Sequence, residues 1–145
     1  MPPNRVFQPA APGAVGVVWL VNISARSCLI QGWPRMRLVH PGLTVDRQRF
    51  RRVAYRPGTA PQLIRLRPRQ RVEVMVSFSN WCGPGSNARN TRAGVAPSRM
   101  LIDLPNRGGS LRMDFYPVAP ECVNSAVPAD VTASPFFRPP ASGTK

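Results

Sequence analysis

The most regular alternation of apolar and polar positions lies at residues 72–79. Val72, Val74, Val76 and Phe78 fall on one side, and Glu73, Ser77 and Ser79 on the other. Successive side chains of a strand point to opposite faces, so this spacing predicts a strand with one buried and one wetter face. The segment continues through Asn80-Trp81-Cys82 and is stopped by Gly83-Pro84-Gly85.

Other stretches carry the same period. Residues 15–23 are apolar on both faces around Trp19, which predicts a strand central in a sheet. Asn22-Ile23-Ser24 at its end matches a glycosylation acceptor, but Asn22 there is expected to bond the backbone instead. Arg26-Ser27-Cys28 reads as a turn. In residues 34–40, Met36 and Leu38 face one way and Arg35 and Arg37 the other, before Pro41-Gly42. Residues 46–56 interleave arginine with Phe50, Val53 and Tyr55, predicting an edge strand or an irregular connection. Residues 62–66 predict a short strand, Pro68-Arg69-Gln70 a turn, and residues 83–98 a polar loop.

Residues 99–116 predict a hairpin. Met100, Ile102 and Leu104 alternate inward before Asn106-Arg107-Gly108-Gly109, and Leu111, Met113 and Phe115 do so after it. With a four-residue loop, matching the inward faces pairs Ile102 with Met113 and Met100 with Phe115. That register sets Asp103 opposite Arg112. A last strand is expected at residues 130–137. About seven to nine short strands joined by turns predict an all-β chain, an antiparallel β-sandwich with Greek-key connections; a closed barrel is the alternative. The expected organisation is an extended proline-rich arm at 1–13, one domain at 14–138 and a flexible tail at 139–145.

Composition supports strands over helices, with 18 prolines and 11 glycines spread along 145 residues. The longest apolar run, residues 15–21, is far short of the roughly 20 residues of a membrane span. Residues 1–4 lead into no signal-peptide core, so either the chain is cytosolic or a leader lies outside this sequence.

The formal net charge is +14, and every cation but Lys145 is an arginine. Such a balance favours solubility and anionic partners: nucleic acid, acidic envelope polymers or a phosphate-rich surface. Arg47, Arg49, Arg51, Arg52 and Arg56 share a segment with Phe50 and Tyr55, the makings of a polyanion- or partner-binding face with aromatic platforms. Arg65, Arg67, Arg69 and Arg71 alternate along the next turn as candidates to join it. The competing reading is a solvated edge whose arginines discourage aggregation. No nucleic-acid motif is present, so such binding is expected to be electrostatic and independent of base sequence.

Signals for catalysis are weak. His40 is the single histidine, which leaves no base–nucleophile set of the hydrolase kind. Asp46, Glu73, Asp103, Asp114, Glu121 and Asp130 are isolated, and several stand near arginines that would hold them ionised. Cys82-Gly83-Pro84-Gly85-Ser86 lacks the lysine and spacing of a phosphate loop. Cys28, Cys82 and Cys122 show no C-x-x-C spacing, and with one histidine they make a zinc site improbable. The expectation is a non-enzyme with neither metal nor cofactor.

At Ser79-Asn80-Trp81-Cys82-Gly83 the chain resembles the mainly actinobacterial family called domain of unknown function 4232. Also matching are Leu20-Val21-Asn22, Cys28-Leu29-Ile30-Gln31-Gly32-Trp33-Pro34, Leu66-Arg67-Pro68, Leu104-Pro105 with Gly108-Gly109, Cys122, and Pro135-Phe136. The resemblance spans roughly residues 13–139 and implies a secreted or lipid-anchored immunoglobulin-like sandwich of unassigned chemistry. A further cysteine that many members carry ahead of the first strand is not found here, and these residues include neither the family's leader nor its low-complexity linker, so lipid anchoring is not carried over. Arg69 stands where the family usually has glycine.

Topology adds a separate expectation. The strand at 72–79 delivers Cys82 to one end of the domain, and the hairpin climbs away and returns, bringing Cys122 to that same end. Cys28 follows a strand antiparallel to 72–79 and so belongs at the other end. A Cys82–Cys122 disulfide with Cys28 as a free thiol is therefore predicted.

The function expected is a non-catalytic extracytoplasmic domain that binds or spaces components of the cell envelope. Alternatives are a decoration protein of a virion or large assembly docked through a basic face, in a virion or the cytoplasm, and a non-specific binder of polyanions. A protein or anionic polymer is the expected partner; sequence-specific nucleic-acid binding and a transmembrane segment are not.

Overall fold

The computed structural model describes residues 3–10, 13–40, 48–54, 60–83, 86, 89, 94, 96–114 and 120–139. Ten strands follow one another: β1 (Pro3–Ala10), β2 (Gly13–Val21), β3 (Cys28–Ile30), β4 (Arg35–Val39), β5 (Gln48–Arg52), β6 (Ile64–Leu66), β7 (Arg71–Ser79), β8 (Arg99–Asp103), β9 (Ser110–Asp114) and β10 (Ala129–Ala133). Among the described residues there is no helix. The strands form a five-stranded sheet in the order β1-β2-β7-β10-β5, a two-stranded sheet β3-β6 and a three-stranded sheet β4-β8-β9. The arrangement is consistent with a β-sandwich.

The alternation at 72–79 works as its spacing implies. Val72, Val74, Val76 and Phe78 are buried, while Arg71 and Met75 are exposed on the opposite face. Their core partners are Val18 and Leu20 of β2, Val131 of β10, and Met36, Leu38, Met100 and Ile102 from the three-stranded sheet. Each such side chain contributes about 1.5–3 kcal/mol when fully buried. β2 lies between β1 and β7, both antiparallel to it, as its two apolar faces suggest.

Four expectations need correction. The sheets are not wholly antiparallel, because β5 runs parallel to β10, with Phe50 beside Val131. The strands also number more than seven to nine. β10 is shorter than residues 130–137. After Ala133 the chain bulges, and Phe137 rejoins β7 opposite Glu73 one register step later. Within the bulge the buried Ser134 hydroxyl accepts the Met75 N–H at 2.9 Å, in place of a backbone carbonyl.

The hairpin also closes in another register. Met100 faces Met113, Ile102 faces Leu111, and Asp103 faces Ser110, not Arg112. The chain reverses in two residues, Asn106 and Arg107, at φ 55° and 60°. Gly108 donates its N–H to the Pro105 carbonyl across them, and Leu104 donates to the Gly109 carbonyl. Positive φ at both central residues is the twist of a type I′ hairpin, which tightens the turn and moves the register by two. The proposed pairing to Phe115 lies outside the described residues.

The edges of two sheets meet through one side chain. Gln48 of β5 accepts the Leu38 N–H at 2.9 Å and donates to the Leu38 carbonyl. The amide thus stands in for a neighbouring strand along β4, satisfying groups that would otherwise be left open at a partly buried edge.

Candidate functional site

Asn22 and Asn80 close the ends of β2 and β7, and each fixes a loop. Asn22, 3 % exposed, donates to the carbonyls of Arg26 and Leu66 and accepts from Ser24. This is the backbone-bonding role expected of it, and it leaves the amide with no room for a glycan. Asn80 sits at φ 57°, which asparagine tolerates better than most residues. Its side chain accepts the N–H groups of Val123 and Asn124 and donates to the carbonyls of Asn124 and Val127. That clamp lays the following loop against the strand end.

Cys82 and Cys122 are joined in a disulfide with Cα atoms 4.6 Å apart, and Cys28 is free. With its ends 40 positions apart in sequence, the bridge is worth about 4 kcal/mol in the chain-entropy model. Trp81 is buried edge-on to Phe78, ring centroids 5.8 Å apart. The Asn-Trp-Cys step is thus a clamp, a core ring and a covalent tie in succession.

The candidate arginines are distributed, not gathered. Arg47, Tyr55 and Arg56 lie outside the described residues. Arg49 and Arg51 point from the edge strand onto the outer face of the five-stranded sheet, level with Ser79 and Ser77 near the end of β7. Arg51 makes a two-pronged pair with Asp130 at 2.7 and 2.5 Å. That hydrogen bond holds the Asp130 carboxyl below its ordinary range and raises the guanidinium, with Arg49 adding a smaller pull on Asp130. Phe50 is half-buried and packs against the core, on the face opposite Arg49 and Arg51. Arg52, on the same side as Phe50, lies 5.5 Å from the ring centre of Trp33, whose indole N–H donates to Val53.

Arg71 starts β7, so eight residues, or about 26 Å, of strand separate its level from that of Arg49. It spans Trp19 at 5.5 Å and Glu73 at 3.4 Å. Arg65 and Arg67 are exposed on and after β6. Arg69 is held at φ 67° in the turn, its N–H donated to the Asn22 carbonyl. A left-handed backbone is where glycine would ordinarily stand.

A different group of arginines does converge. On the outer face of the three-stranded sheet, Arg37, Leu101 and Arg112 lie abreast, with Arg35, Asp103 and Ser110 in the next row. They line a groove of about 480 Å³. Ser110 donates its hydroxyl to Asp103 at 2.6 Å, and Arg99 pairs with Asp114 at 3.1 Å in the row beyond. The alternation of Arg35 and Arg37 was visible in sequence, but the partner at 112 emerges only from the hairpin register.

Among the described residues no cluster of histidine, cysteine and carboxylate side chains could hold a metal ion, and no helix is long and apolar enough to cross a membrane. No family model, curated protein or solved structure matches the chain.

Proposed function

We propose that the chain is a non-catalytic, extracytoplasmic immunoglobulin-like domain with a binding role at the cell envelope, as its resemblance to domain of unknown function 4232 implies. The observation that carries this reading is the disulfide between Cys82 and Cys122. Disulfides form and persist in oxidising compartments and are rare in the cytosol. Here Cys122 is buried, Cys82 is half-buried, and Asn80 seats the adjoining loop.

The chain's passage from sheet to sheet supports the Greek-key reading: β7 leads to the β8–β9 hairpin of the other sheet, and β10 returns beside β7. The carboxylates support a binding role over catalysis. Glu73, Asp114 and Asp130 are each occupied by an arginine, and Asp103 by a serine hydroxyl. Exposed arginines on both outer sheet faces supply the recognition surface.

The test is the thiol state in the producing cell. Thiols are trapped with an alkylating reagent, the protein is denatured without reductant, and modified cysteines are counted by mass. The reading expects modification of Cys28 alone. Three modified cysteines would overturn it.

A further inference from the structure

We infer that the groove on the outer face of β4, β8 and β9 is a binding site for an acidic polysaccharide. Arg37 and Arg112 flank Leu101 from the two outer strands, about 10 Å apart at the Cα atoms, or two inter-strand spacings. Arg35 lies one strand repeat from Arg37, about 7 Å along β4. No ion pair or hydrogen bond engages the side chains of Arg35, Arg37 or Arg112 among the described residues. Elsewhere Arg51, Arg71 and Arg99 are each paired with a carboxylate. Among the described residues, then, nothing occupies the guanidinium forks of this groove, whose geometry matches the planar carboxylates of a ligand.

Two features choose the class of polymer. Binding of single-stranded nucleic acid relies on aromatic side chains on which bases stack. The outward positions here are Arg35, Arg37, Val39, Leu101 and Arg112 with the polar residues beside them, and none is aromatic. Asp103 decides against a polymer of bare charge. Its carboxylate lines the groove and would repel polyphosphate, yet beyond the bond from Ser110 it keeps lone pairs for incoming hydroxyls. A sugar chain bearing carboxylates supplies both partners, with its acid groups on the arginines and its hydroxyls on Asp103.

The assignment rests on the envelope-binding reading for its biological setting only. Its test uses purified protein, so it can fail while the thiol test succeeds. Polygalacturonate is titrated at low salt against the wild type, R37Q/R112Q, R65Q/R67Q and D103A. Loss of two charge-assisted contacts predicts at least about tenfold weaker binding by R37Q/R112Q. R65Q/R67Q, on another sheet, should stay within about twofold, the scale of a screened surface charge. D103A should weaken polygalacturonate while strengthening polyphosphate, a split that general loss of structure would not produce. In the wild type, polygalacturonate should also shift the Leu101 amide resonance, a readout independent of how any variant folds. Unchanged binding by a folded R37Q/R112Q, no shift at Leu101, or tighter binding of polyphosphate or oligothymidylate than of polygalacturonate would each overturn the proposal.

Discussion

The side-chain oxygen of Asn80 accepts the backbone N–H of Asn124 at 2.7 Å, across 44 residues of sequence. With the bond from Val123 and the donations to Asn124 and Val127, it turns one buried amide into the anchor of a whole loop. Asn80→Gly keeps the left-handed backbone and removes those bonds, so it should cost about 2–3 kcal/mol. Asn80→Ala should cost about 1 kcal/mol more, because alanine resists that φ. Urea denaturation with the disulfide intact measures both. Equal stability of wild type and glycine variant would remove the clamp.

Gln48 offers a second test of a side chain acting as backbone. Replacement by leucine leaves the N–H and carbonyl of Leu38 without their partner at a partly buried edge. The expected loss is about 1–3 kcal/mol. Hydrogen exchange gives the local signature, since the Leu38 amide should exchange faster while the Leu101 amide, in the hydrogen-bonded pair with Arg37 inside the β4–β8 ladder, keeps its protection relative to global stability.

The pair Arg51–Asp130 sets a pH dependence. The folded state depresses the Asp130 pKa, first through its hydrogen bond from Arg51. The unfolded chain therefore binds a proton at higher pH than the folded one. The stabilisation is fully present above the ordinary carboxylate range and fades as pH falls through the depressed folded value. Asp130→Asn should be less stable than wild type near neutrality, and the gap should close in acid. Unfolding midpoints at pH about 7 and about 2 bracket the transition. A gap that persists unchanged in acid would assign the effect to something other than this titration.

Strand identity was legible because a period of two is written directly into residues such as Val72, Val74, Val76 and Phe78. Hairpin register was less so. A slip of one residue would turn Met100 and Ile102 outward, but a slip of two keeps every face and changes every partner. Hydrophobic pattern cannot choose between those registers; the turn at Asn106 and Arg107 does. The parallel pairing of β5 with β10 joins segments some 80 residues apart with no local signal. The same limit hid the groove. Arg37 and Arg112 become neighbours only once β4, β8 and β9 are aligned, whereas the denser run at 49–52 is divided by its own alternation between two faces.

The turn itself can be tested through Gly108. A Cβ there would stand 2.8 Å from the Leu104 Cβ and 3.1 Å from the Pro105 carbonyl oxygen. Both are parts of the opposing strand end, not the tip of a side chain, so the backbone must move. Gly108→Ala should cost about 1–3 kcal/mol by overpacking. Leu104→Ala should not rescue it, because the contact is with the β-carbon that alanine retains. Gly109 poses the opposite case: a Cβ there meets nothing within 4 Å, but φ is 90°. Gly109→Ala should cost about 1–2 kcal/mol through the backbone alone. A double-mutant cycle between positions 104 and 108 separates the two causes. Leu104→Gly should recover part of the Gly108→Ala loss and none of the Gly109→Ala loss. Recovery by Leu104→Ala as large as by Leu104→Gly would mean that the pressure comes from the leucine tip, and that the tight turn tolerates a side chain at 108.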